Sequence, residues 1–467
     1  MTRITFPATA RPLVSAIIVT HGQWPWAERA LSALAAHTDE PYEVIVVDNA
    51  SDDGTQTHLE SGTENARLLL NPRNVGFGPA CNQGAAAARG DFLVFLNSDT
   101  LVQPGWLPPL LSCFEDQAVA AAGPLILSLD GSVQEAGALV SPSYGAAPYG
   151  DGDSRERPEY RFRRSVDYVS AACLAVRRTA FHEVGGFDAR YGMGYFEDVD
   201  LCLSLTTRGY RILYEPRSTV QHARWVSYGE SRARDLVEGN RVIFSRRWRG
   251  RLGLRPNSLG QEGPRQLVAV RDAPATDRIL AVTPEIPARG EPFERLLTVL
   301  VTGWPTARVT AVAARDRAFG RRMEALLDAG VEVAQPESLG GWLFERRFHY
   351  DVVLVSASMW AAAEPLLAGS QPQAFTVLVV EAIDAAEEQL ARPVSRVDAI
   401  LSSSEMTPLD NAADAAAGRV TIPVAAEDEA SSALHTALAD AFLAAGTTAQ
   451  RPAVRPTWPS FSHLRRR

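Results

Sequence analysis

The stretch Leu93-Val94-Phe95-Leu96-Asn97-Ser98-Asp99-Thr100 decides the fold of this chain. Its first four residues are apolar, as in a strand buried in a core, and polar residues follow at once. A carboxylate in that position lies at the rim of a sheet, where α/β proteins bind their ligands. A second acidic group, Glu197-Asp198-Val199-Asp200, comes later in the chain, and His222 follows it. Two such groups can supply a metal ligand and a proton acceptor to a single reaction.

Strand-like and helix-like segments alternate around this stretch. Residues 14–20, 42–47, 67–70 and 92–96 have the apolar content of strands, and residues 28–37 and 79–89 have that of helices. Such alternation predicts βαβ units on a mostly parallel sheet. Residues 141–165 read as an irregular loop, residues 166–177 as strand-like, and residues 198–208 and 228–248 as helices.

A second α/β pattern follows the first. We expect a first domain over residues 1–255, a linker over 256–277, and a Rossmann-like domain over 278–426. Residues 427–467 predict a helix and a basic tail without defined structure. The fold class is therefore α/β in both domains.

Composition narrows the function. The chain has 467 residues, a net charge of −9 and 22% charged residues, which argues against nucleic acid as a partner. All 46 basic residues are arginine, so a P-loop lysine and a Schiff-base lysine are excluded. The four cysteines form no C-x-x-C pair, as expected for buried free thiols. With no membrane-length apolar run and no signal-like start, we expect a cytoplasmic protein.

Six short motifs occur in a fixed order. They are VVDNAS at 46–51, NPRNVGFG at 71–78, NQG at 82–84, LNSDT at 96–100, GGFD at 185–188 and FEDVDLC at 196–202. In order and spacing they resemble family 2 glycosyltransferases of the rhamnosyl- and galactofuranosyl-transferase branch. The resemblance covers the first 255 residues and implies a GT-A fold, a nucleotide-sugar donor, a divalent metal (Mg²⁺ or Mn²⁺) and inversion at the anomeric carbon. Residues 278–426 resemble, more weakly, half of a GT-B glycosyltransferase.

The resemblance implies a metal site and a general base. Asp99 matches the metal-binding position of the D-x-D motif, whose first aspartate is Asn97 here, and His222 matches a further ligand. A cation bridging a carboxylate and a diphosphate would ease departure of that leaving group. Asp198 is the candidate base that accepts the proton of the acceptor hydroxyl, and its position at a helix start favours the ionised form. Asp99 could instead cap a turn, and Asp198 could simply complement the helix dipole.

The remaining motif residues would bind substrates. On the donor side, the resemblance implies Thr20 and His21 beside the base, Asp48 accepting from a uracil or thymine N3–H, Asn97 near the ribose, and Arg73, Asn74 and Gly76 at the diphosphate and sugar. On the acceptor side it implies Gly186, Phe187, Asp188 and Glu197. Turn formation and helix capping are the structural alternatives for these residues.

The segment from Arg217 to Arg255 is rich in arginine and contains Trp225, Tyr228, Phe244 and Trp248. It reads either as a solvated basic helix or as a helix that attaches the protein peripherally to the inner face of the plasma membrane. A third interpretation has some of these arginines contacting the donor diphosphate.

The sequence thus predicts a glycosyltransferase that extends a cell-envelope or capsular glycan, or its lipid-linked precursor, from dTDP-rhamnose or a UDP-sugar. Two alternatives stay open. A sugar-phosphate nucleotidyltransferase shares the α/β sheet and acidic site, although Thr20-His21-Gly22-Gln23-Trp24 lacks the basic Gly-rich loop that it needs. A non-catalytic scaffold would tolerate Asn97 in the metal motif.

Overall fold

The computed structural model describes residues 3–141, 145–224, 229–252, 268, 271–289, 291–314, 321–380, 397, 399–403 and 420–424. Two sheets organise this part of the chain, one of ten strands in the first half and one of seven in the second. Both are flanked by helices, so the α/β class predicted for the two halves is confirmed.

The first half contains fourteen strands and seven α-helices within the described residues. The strands are β1 (Ile4–Thr5), β2 (Val14–Thr20), β3 (Tyr42–Asp48), β4 (Thr63–Glu64), β5 (Ala66–Leu70), β6 (Phe92–Asn97), β7 (Thr100–Val102), β8 (Val119–Leu127), β9 (Val133–Ala136), β10 (Ala138–Val140), β11 (Ala146–Pro148), β12 (Arg164–Ser165), β13 (Cys173–Arg177) and β14 (Arg211–His222). The helices are α1 (Trp24–His37), α2 (Thr55–Gly62), α3 (Phe77–Ala87), α4 (Leu107–Ser112), α5 (Arg178–Glu183), α6 (Glu197–Thr207) and α7 (Gly229–Leu252).

The second half continues with seven strands and four α-helices within the described residues. These strands are β15 (Asp277–Thr283), β16 (Ala307–Ala313), β17 (Glu332–Ala334), β18 (Val352–Ser356), β19 (Phe375–Val380), β20 (Ala399–Ser403) and β21 (Val420–Val424). The helices are α8 (Pro292–Gly303), α9 (Arg321–Ala329), α10 (Leu339–Glu345) and α11 (Trp360–Ser370).

The first sheet changes direction midway. Its order is β12-β14-β8-β13-β6-β2-β3-β5, with β7 beside β14 and β9 beside β8. The run β6-β2-β3-β5 is parallel, whereas β13 is antiparallel to both β6 and β8. Continuous apolar segments build the parallel run because both of its faces are covered. Alternate residues such as Ile17 and Ile18 enter separate cores on the two faces.

The antiparallel half brings the late motifs back to the early ones. β14 pairs with β7, and in that register His222 lies opposite Thr100. The strand-like segment at 166–177 is shorter than predicted, because only Cys173–Arg177 is a strand. The loop predicted at 141–165 contains short strands, and Phe162 within it is fully buried.

The second sheet is parallel throughout, in the order β17-β16-β15-β18-β19-β20-β21. This is the Rossmann-like pattern expected for residues 278–426. The described part of the predicted linker is not a loose connection, since Arg271 and Asp272 are 2% and 0% exposed. The predicted tail, residues 427–467, lies outside the described residues.

The two halves are in direct contact. Phe162 belongs to the hydrophobic core of the second half, and the guanidinium groups of Arg164, Arg271 and Arg308 lie 5.4, 5.9 and 5.2 Å from its ring centroid. Arg308 Nη2 also donates to the Ser165 carbonyl, at 3.3 Å. In the described segments, no helix is both long and apolar enough to span a lipid bilayer.

Candidate active site

The polar residues of the first half gather at the carboxyl edge of the parallel strands. Thr20 pairs with Asp48 between β2 and β3, and Val19 pairs with Asn97 between β2 and β6. Neighbouring parallel strands therefore end in polar side chains at one edge, which is where a ligand of an α/β sheet binds.

Asp48 is held rigidly at this edge. It is 1% exposed, and its Oδ1 accepts from Thr20 Oγ1 at 3.0 Å. The Ser51 backbone amide donates to Oδ2 at 3.1 Å, and the Ser51 hydroxyl donates to Oδ1. These are the Asx-turn contacts that the structural alternative requires. A carboxylate oxygen keeps further lone pairs, so recognition of a base by Asp48 stays a prediction.

Asn49 organises the loop that carries the predicted diphosphate contacts, a role the sequence did not single out. Its Nδ2 donates to Asn74 Oδ1 at 2.8 Å, and its Oδ1 accepts from the Val75 amide at 3.0 Å. Asn74 Oδ1 also accepts from the Gly76 amide, at 2.9 Å. Asn74 and Gly76 therefore build the loop, while Arg73 is exposed beside them. His21 Nδ1 lies 3.0 Å from the Asn49 carbonyl oxygen.

Asp99, His222 and Asn97 form one compact polar group. Asp99 Oδ1 lies 3.2 Å from His222 Nε2, and Asn97 Nδ2 lies 3.2 Å from the same nitrogen. Asp99 is 5% exposed. The opposed strands β7 and β14 create this proximity, which sequence spacing alone does not dictate.

His222 has a further partner that the sequence did not indicate. Its Nδ1 lies 2.8 Å from Gln134 Oε1. An amide oxygen can only accept, so Nδ1 carries a proton in this contact. In a neutral ring Nε2 then presents a lone pair toward Asp99.

This group fits a divalent cation in part. A carboxylate and a neutral imidazole both donate electron pairs to Mg²⁺ or Mn²⁺. The described residues contain no cluster of three or more His, Cys, Asp or Glu side chains placed to hold a metal. Mg²⁺ is commonly bound by one or two carboxylates together with substrate phosphates. Asp99 and His222 would therefore hold an ion jointly with the donor diphosphate.

Asp198 lies next to this group through a shared backbone segment. Its Oδ2 accepts from the Ala171 amide at 3.1 Å, and its Oδ1 from the Val199 amide at 2.8 Å. Ala172 directly follows Ala171 in the chain. Its carbonyl oxygen accepts from the Asn97 amide at 3.1 Å and from Thr100 Oγ1 at 2.9 Å. The two acidic groups thus converge on adjacent residues.

The electrostatics of Asp198 differ from the sequence expectation. Burial raises the pKa of this carboxyl above its ordinary value, and the bonds from Ala171 and Val199 only partly oppose that rise. The helix-start argument predicted a stabilised anion, but desolvation dominates. A raised pKa makes Asp198 a stronger proton acceptor.

A second buried carboxyl stands beside Asp198. Glu135 is 7% exposed, and its Oε1 accepts from the Ser170 amide at 2.9 Å. Burial, followed by the charge of Asp198, raises the pKa of Glu135 to about 8. No motif in the sequence pointed to this residue.

Glu197 points into the interior. It is 5% exposed, and its Oε2 is buried without a hydrogen-bond partner in the described part of the chain. An added Cβ on Gly78 would lie 3.8 Å from its side chain. Burial, and then the charge of Asp198, raises the pKa of Glu197 well above its ordinary value. Its position favours packing over contact with an acceptor, so acceptor binding stays a prediction.

The other acceptor-side residues have clear structural partners. Phe187 is 2% exposed and packs against Phe95 and Phe181. Asp188 caps a turn and pairs with Arg190 and Arg247, which together lower its pKa. Gly186 has φ +72, and an added Cβ would lie 2.6 Å from Asn82 Oδ1. These contacts match the structural alternative for this loop and leave its acceptor role untested.

Helix α7 is bound to the fold through its aromatic residues. Phe244 and Trp248 are 0% and 7% exposed, and Trp248 Nε1 donates to Asp200 Oδ1 at 2.8 Å. Arg247 Nη1 pairs with Asp200 at 2.9 Å. These two aromatics are therefore unavailable to a membrane, and arginine makes up half of the exposed residues described in the helix. Trp225 and Tyr228 lie outside the described residues.

In comparisons with known proteins, residues 15–185 match the family described as "Glycosyl transferase family 2". The chain is 34% identical over 252 residues to "N-acetylglucosaminyl-diphospho-decaprenol L-rhamnosyltransferase" of Mycobacterium tuberculosis, a match that covers 49% of this chain and 81% of the relative. It is 37% identical over 188 residues to "Pre-mycofactocin glycosyltransferase" of the same species, covering 38% of this chain and 37% of the relative.

Among solved structures, the chain is similar to "Crystal structure of GalNAc-T7 with UDP, GalNAc and Mn2+". The TM-score is 0.40 and the sequence identity is 20%. The match covers 51% of this chain and 48% of the other.

Proposed function

The chain belongs to glycosyl transferase family 2 and is a glycosyltransferase that uses a nucleotide sugar; from this premise we propose that it is a metal-dependent, inverting enzyme. The family assignment, with the mixed sheet of the first half, confirms the predicted GT-A fold. It removes the sugar-phosphate nucleotidyltransferase alternative. It also weighs against a non-catalytic scaffold, the alternative that Asn97 had left open; the amide of Asn97 contacts His222.

One observation carries the proposal. Asp198 accepts from the Ala171 amide, and the residues on either side of Ser98-Asp99, namely Asn97 and Thr100, donate to the Ala172 carbonyl. The Asp99–His222 pair and the candidate proton acceptor therefore lie near one backbone segment. A metal-dependent inverting displacement uses both, with the proton acceptor on the face opposite the leaving diphosphate. Asp198 accepts the proton as the acceptor hydroxyl attacks that carbon and the nucleoside diphosphate departs. When bound, the divalent ion supplies charge neutralisation for that diphosphate.

We propose dTDP-rhamnose as the first donor to test, with UDP-sugars as the alternative. The relative that shares 34% identity is named as an L-rhamnosyltransferase acting on a diphospho-decaprenol carrier. That name supports a lipid-linked or cell-envelope glycan acceptor. Exposed arginines on α7 are compatible with peripheral attachment to the inner membrane face, where such an acceptor would lie.

The test is a donor screen by thermal shift with Mn²⁺. A ligand that binds only the folded protein stabilises it by about 2.7 kcal/mol at a concentration about 100-fold above Kd. We expect a shift with one nucleotide sugar, lost in chelator and in Asp99→Ala. The matched control is Asp91→Ala, an exposed aspartate that precedes β6 as Asp99 follows it. A shift that survives both chelator and Asp99→Ala would reject the metal site.

A further inference from the structure

Gln134 is the only residue, within the described part of the chain, with a hydrogen-bonding contact to His222 Nδ1. It lies on β9, which pairs with β8, and β8 pairs in turn with β14, which ends at His222. Three adjacent strands therefore set the position of this glutamine relative to the imidazole. The contact of 2.8 Å is shorter than either of the contacts made by Nε2.

The two sides of the imidazole are unequal. Gln134 Oε1 requires a proton on Nδ1, whereas Asp99 Oδ1 lies 3.2 Å from Nε2. A ring protonated on Nε2 instead would place one lone pair against the Gln134 oxygen. Asp99 Oδ1 is also an acceptor and by itself would favour a proton on Nε2, but Asn97 Nδ2 can only donate and needs a lone pair on that nitrogen. The Gln134 acceptor and the Asn97 donor together favour the tautomer whose Nε2 can bind a cation.

Gln134 is poorly explained as a packing residue. It is 4% exposed, and its Nε2 is buried with no hydrogen-bond partner among the described residues. A buried amide donor without a partner destabilises the fold, so an apolar side chain would serve packing better. Its backbone is nevertheless fixed, because Arg224 donates to the Gln134 carbonyl at 3.3 Å and pairs with Asp151 at 2.9 Å.

We propose that Gln134 is a positioning residue that holds His222 in the Nδ1-protonated tautomer, so that Nε2 can join Asp99 in binding the divalent ion. This inference rests on the proposed metal-dependent function. It assigns Gln134 no contact with substrate. It affects the affinity of the protein for the metal and determines which nitrogen of the His222 ring carries the proton.

The first test is a titration of the full chain with Mn²⁺ in the presence of UDP. Electron paramagnetic resonance measures the concentration of unbound Mn²⁺ at each step. Gln134→Leu should weaken Mn²⁺ binding by about 10- to 100-fold. Gln134→Glu keeps an acceptor for Nδ1 and should stay within about 3-fold of the parent protein. The control is Gln371→Leu, which removes a buried, hydrogen-bonded glutamine from the second half and should leave Mn²⁺ affinity unchanged.

The second test determines the tautomer of His222 in the absence of metal. Nitrogen-15 NMR of metal-free protein, with His222 assigned by the loss of its signals in His222→Gln, should show a proton on Nδ1. Gln134→Leu should lose this preference and Gln134→Glu should keep it. An Nε2-protonated ring in the parent protein, or a folded Gln134→Leu with unchanged tautomer and affinity, would overturn the inference.

The Mn²⁺ titration and the NMR measurement together distinguish a failure of this inference from a failure of the proposed metal-dependent function. If the parent protein shows the expected tautomer but binds no Mn²⁺ with any nucleotide, the metal site itself fails. If Gln134→Leu does not fold, Gln134→Met supplies a second apolar variant. Equal Mn²⁺ affinity in Gln134→Met and Gln134→Glu would then count against the role of the acceptor oxygen.

Discussion

Asp198 occupies an unusual place for a carboxylate. Both of its oxygens accept from backbone amides, yet burial still raises its pKa. A base needs both properties, since the amides fix the direction of the oxygens and the raised pKa increases their affinity for a proton. The rate of transfer should therefore rise with pH as this carboxyl loses its proton. On acidification the rate should begin to fall at a pH at which an exposed aspartate is still ionised.

Asp198→Asn tests this role. The variant should keep the donor-induced thermal shift and lose transfer by about 10²- to 10⁴-fold, because the amide cannot accept the proton. Its NH₂ group faces a backbone amide, which should cost about 1–3 kcal/mol of stability. Transfer is measured as released nucleoside diphosphate with acceptor present. Parent-like transfer in a variant that still binds donor would reject Asp198 as the base.

Glu135 should make stability depend on pH. Its pKa in the folded chain is about 8, whereas an unfolded glutamate titrates near about 4.3. Between these values the folded state holds a proton that the unfolded state has lost. The free energy of unfolding therefore falls as pH rises, by about 1.4 kcal/mol per unit for one such group. The groups acting on it are Asp198, Arg224 and the Ser170 amide.

Glu135→Gln removes that titration. Urea unfolding at pH 5, 6.5 and 8 should show a flatter pH dependence than the parent and greater stability at pH 8. Glu156→Gln, at an exposed glutamate, is the control and should retain the parent slope. Identical slopes in parent and Glu135→Gln would mean that Glu135 is ionised in the folded protein.

The sequence pointed to Asp99 and Asp198 because they lie in ordered motifs, and to His222 through the family resemblance; their roles stay predictions. It gave no sign of Gln134 or Glu135, since their partners are distant in the chain. The Gln134–His222 contact spans 88 positions and depends on the pairing of β8 with β9 and β14. Asn49 was visible in a motif, but its hydrogen bonds to the 71–76 loop became apparent only with the loop folded against it.

At the level of elements, a close backbone contact joins the donor-side loop to the acceptor side. Gly76 has φ +93, and an added Cβ would lie 2.1 Å from the Gly192 carbonyl oxygen. The Phe77 amide also donates to the Met193 carbonyl, at 3.4 Å. Only glycine allows this approach.

Gly76→Ala should separate the two segments. We expect a loss of about 1–3 kcal/mol in stability from the backbone strain, a further loss from the clash, and weaker donor binding. Gly105→Ala is the matched control, since Gly105 has φ +72 but no atom of a described residue lies within 4 Å of an added Cβ. Donor affinity by thermal shift should fall only in Gly76→Ala. Equal behaviour of the two variants would remove the contact as a cause.

Strand prediction succeeded where the chain is continuously apolar. The segments Val14–Thr20, Tyr42–Asp48 and Phe92–Asn97 were found within one residue at each end. The long strands β8 and β14 were missed. Both contain proline, and β14 pairs with β8 through register shifts, so neither shows the regular period that identifies a strand.

At the scale of the whole molecule, one aromatic side chain joins the halves. Phe162 comes from the first half and completes the core of the second. The arginines around it are balanced by acids: Arg271 pairs with Asp272 at 2.7 Å and with Glu332 at 2.7 Å. Beside Arg271 and Arg308, the pKa of Asp272 is held well below its ordinary range despite its burial.

Phe162→Ala should destabilise the protein by about 3–5 kcal/mol, through lost burial and the cavity left behind. The second half should be affected most, because the ring fills its core. Urea unfolding followed by intrinsic fluorescence measures the loss. Phe348→Ala, at a phenylalanine that is 56% exposed, should change stability by less than about 0.5 kcal/mol. A Phe162→Ala variant as stable as the parent would show that the halves are independent.

The orientation of the second sheet determines where a ligand of that sheet would bind relative to the first half. Arg308, which donates to Ser165 of the first half, and Glu332, which pairs with Arg271, lie at the beginnings of β16 and β17. Since all seven strands run the same way, their far ends open toward the opposite side. A ligand recruited to those carboxyl ends would lie at the edge of this sheet away from the Arg308–Ser165 contact with the first half.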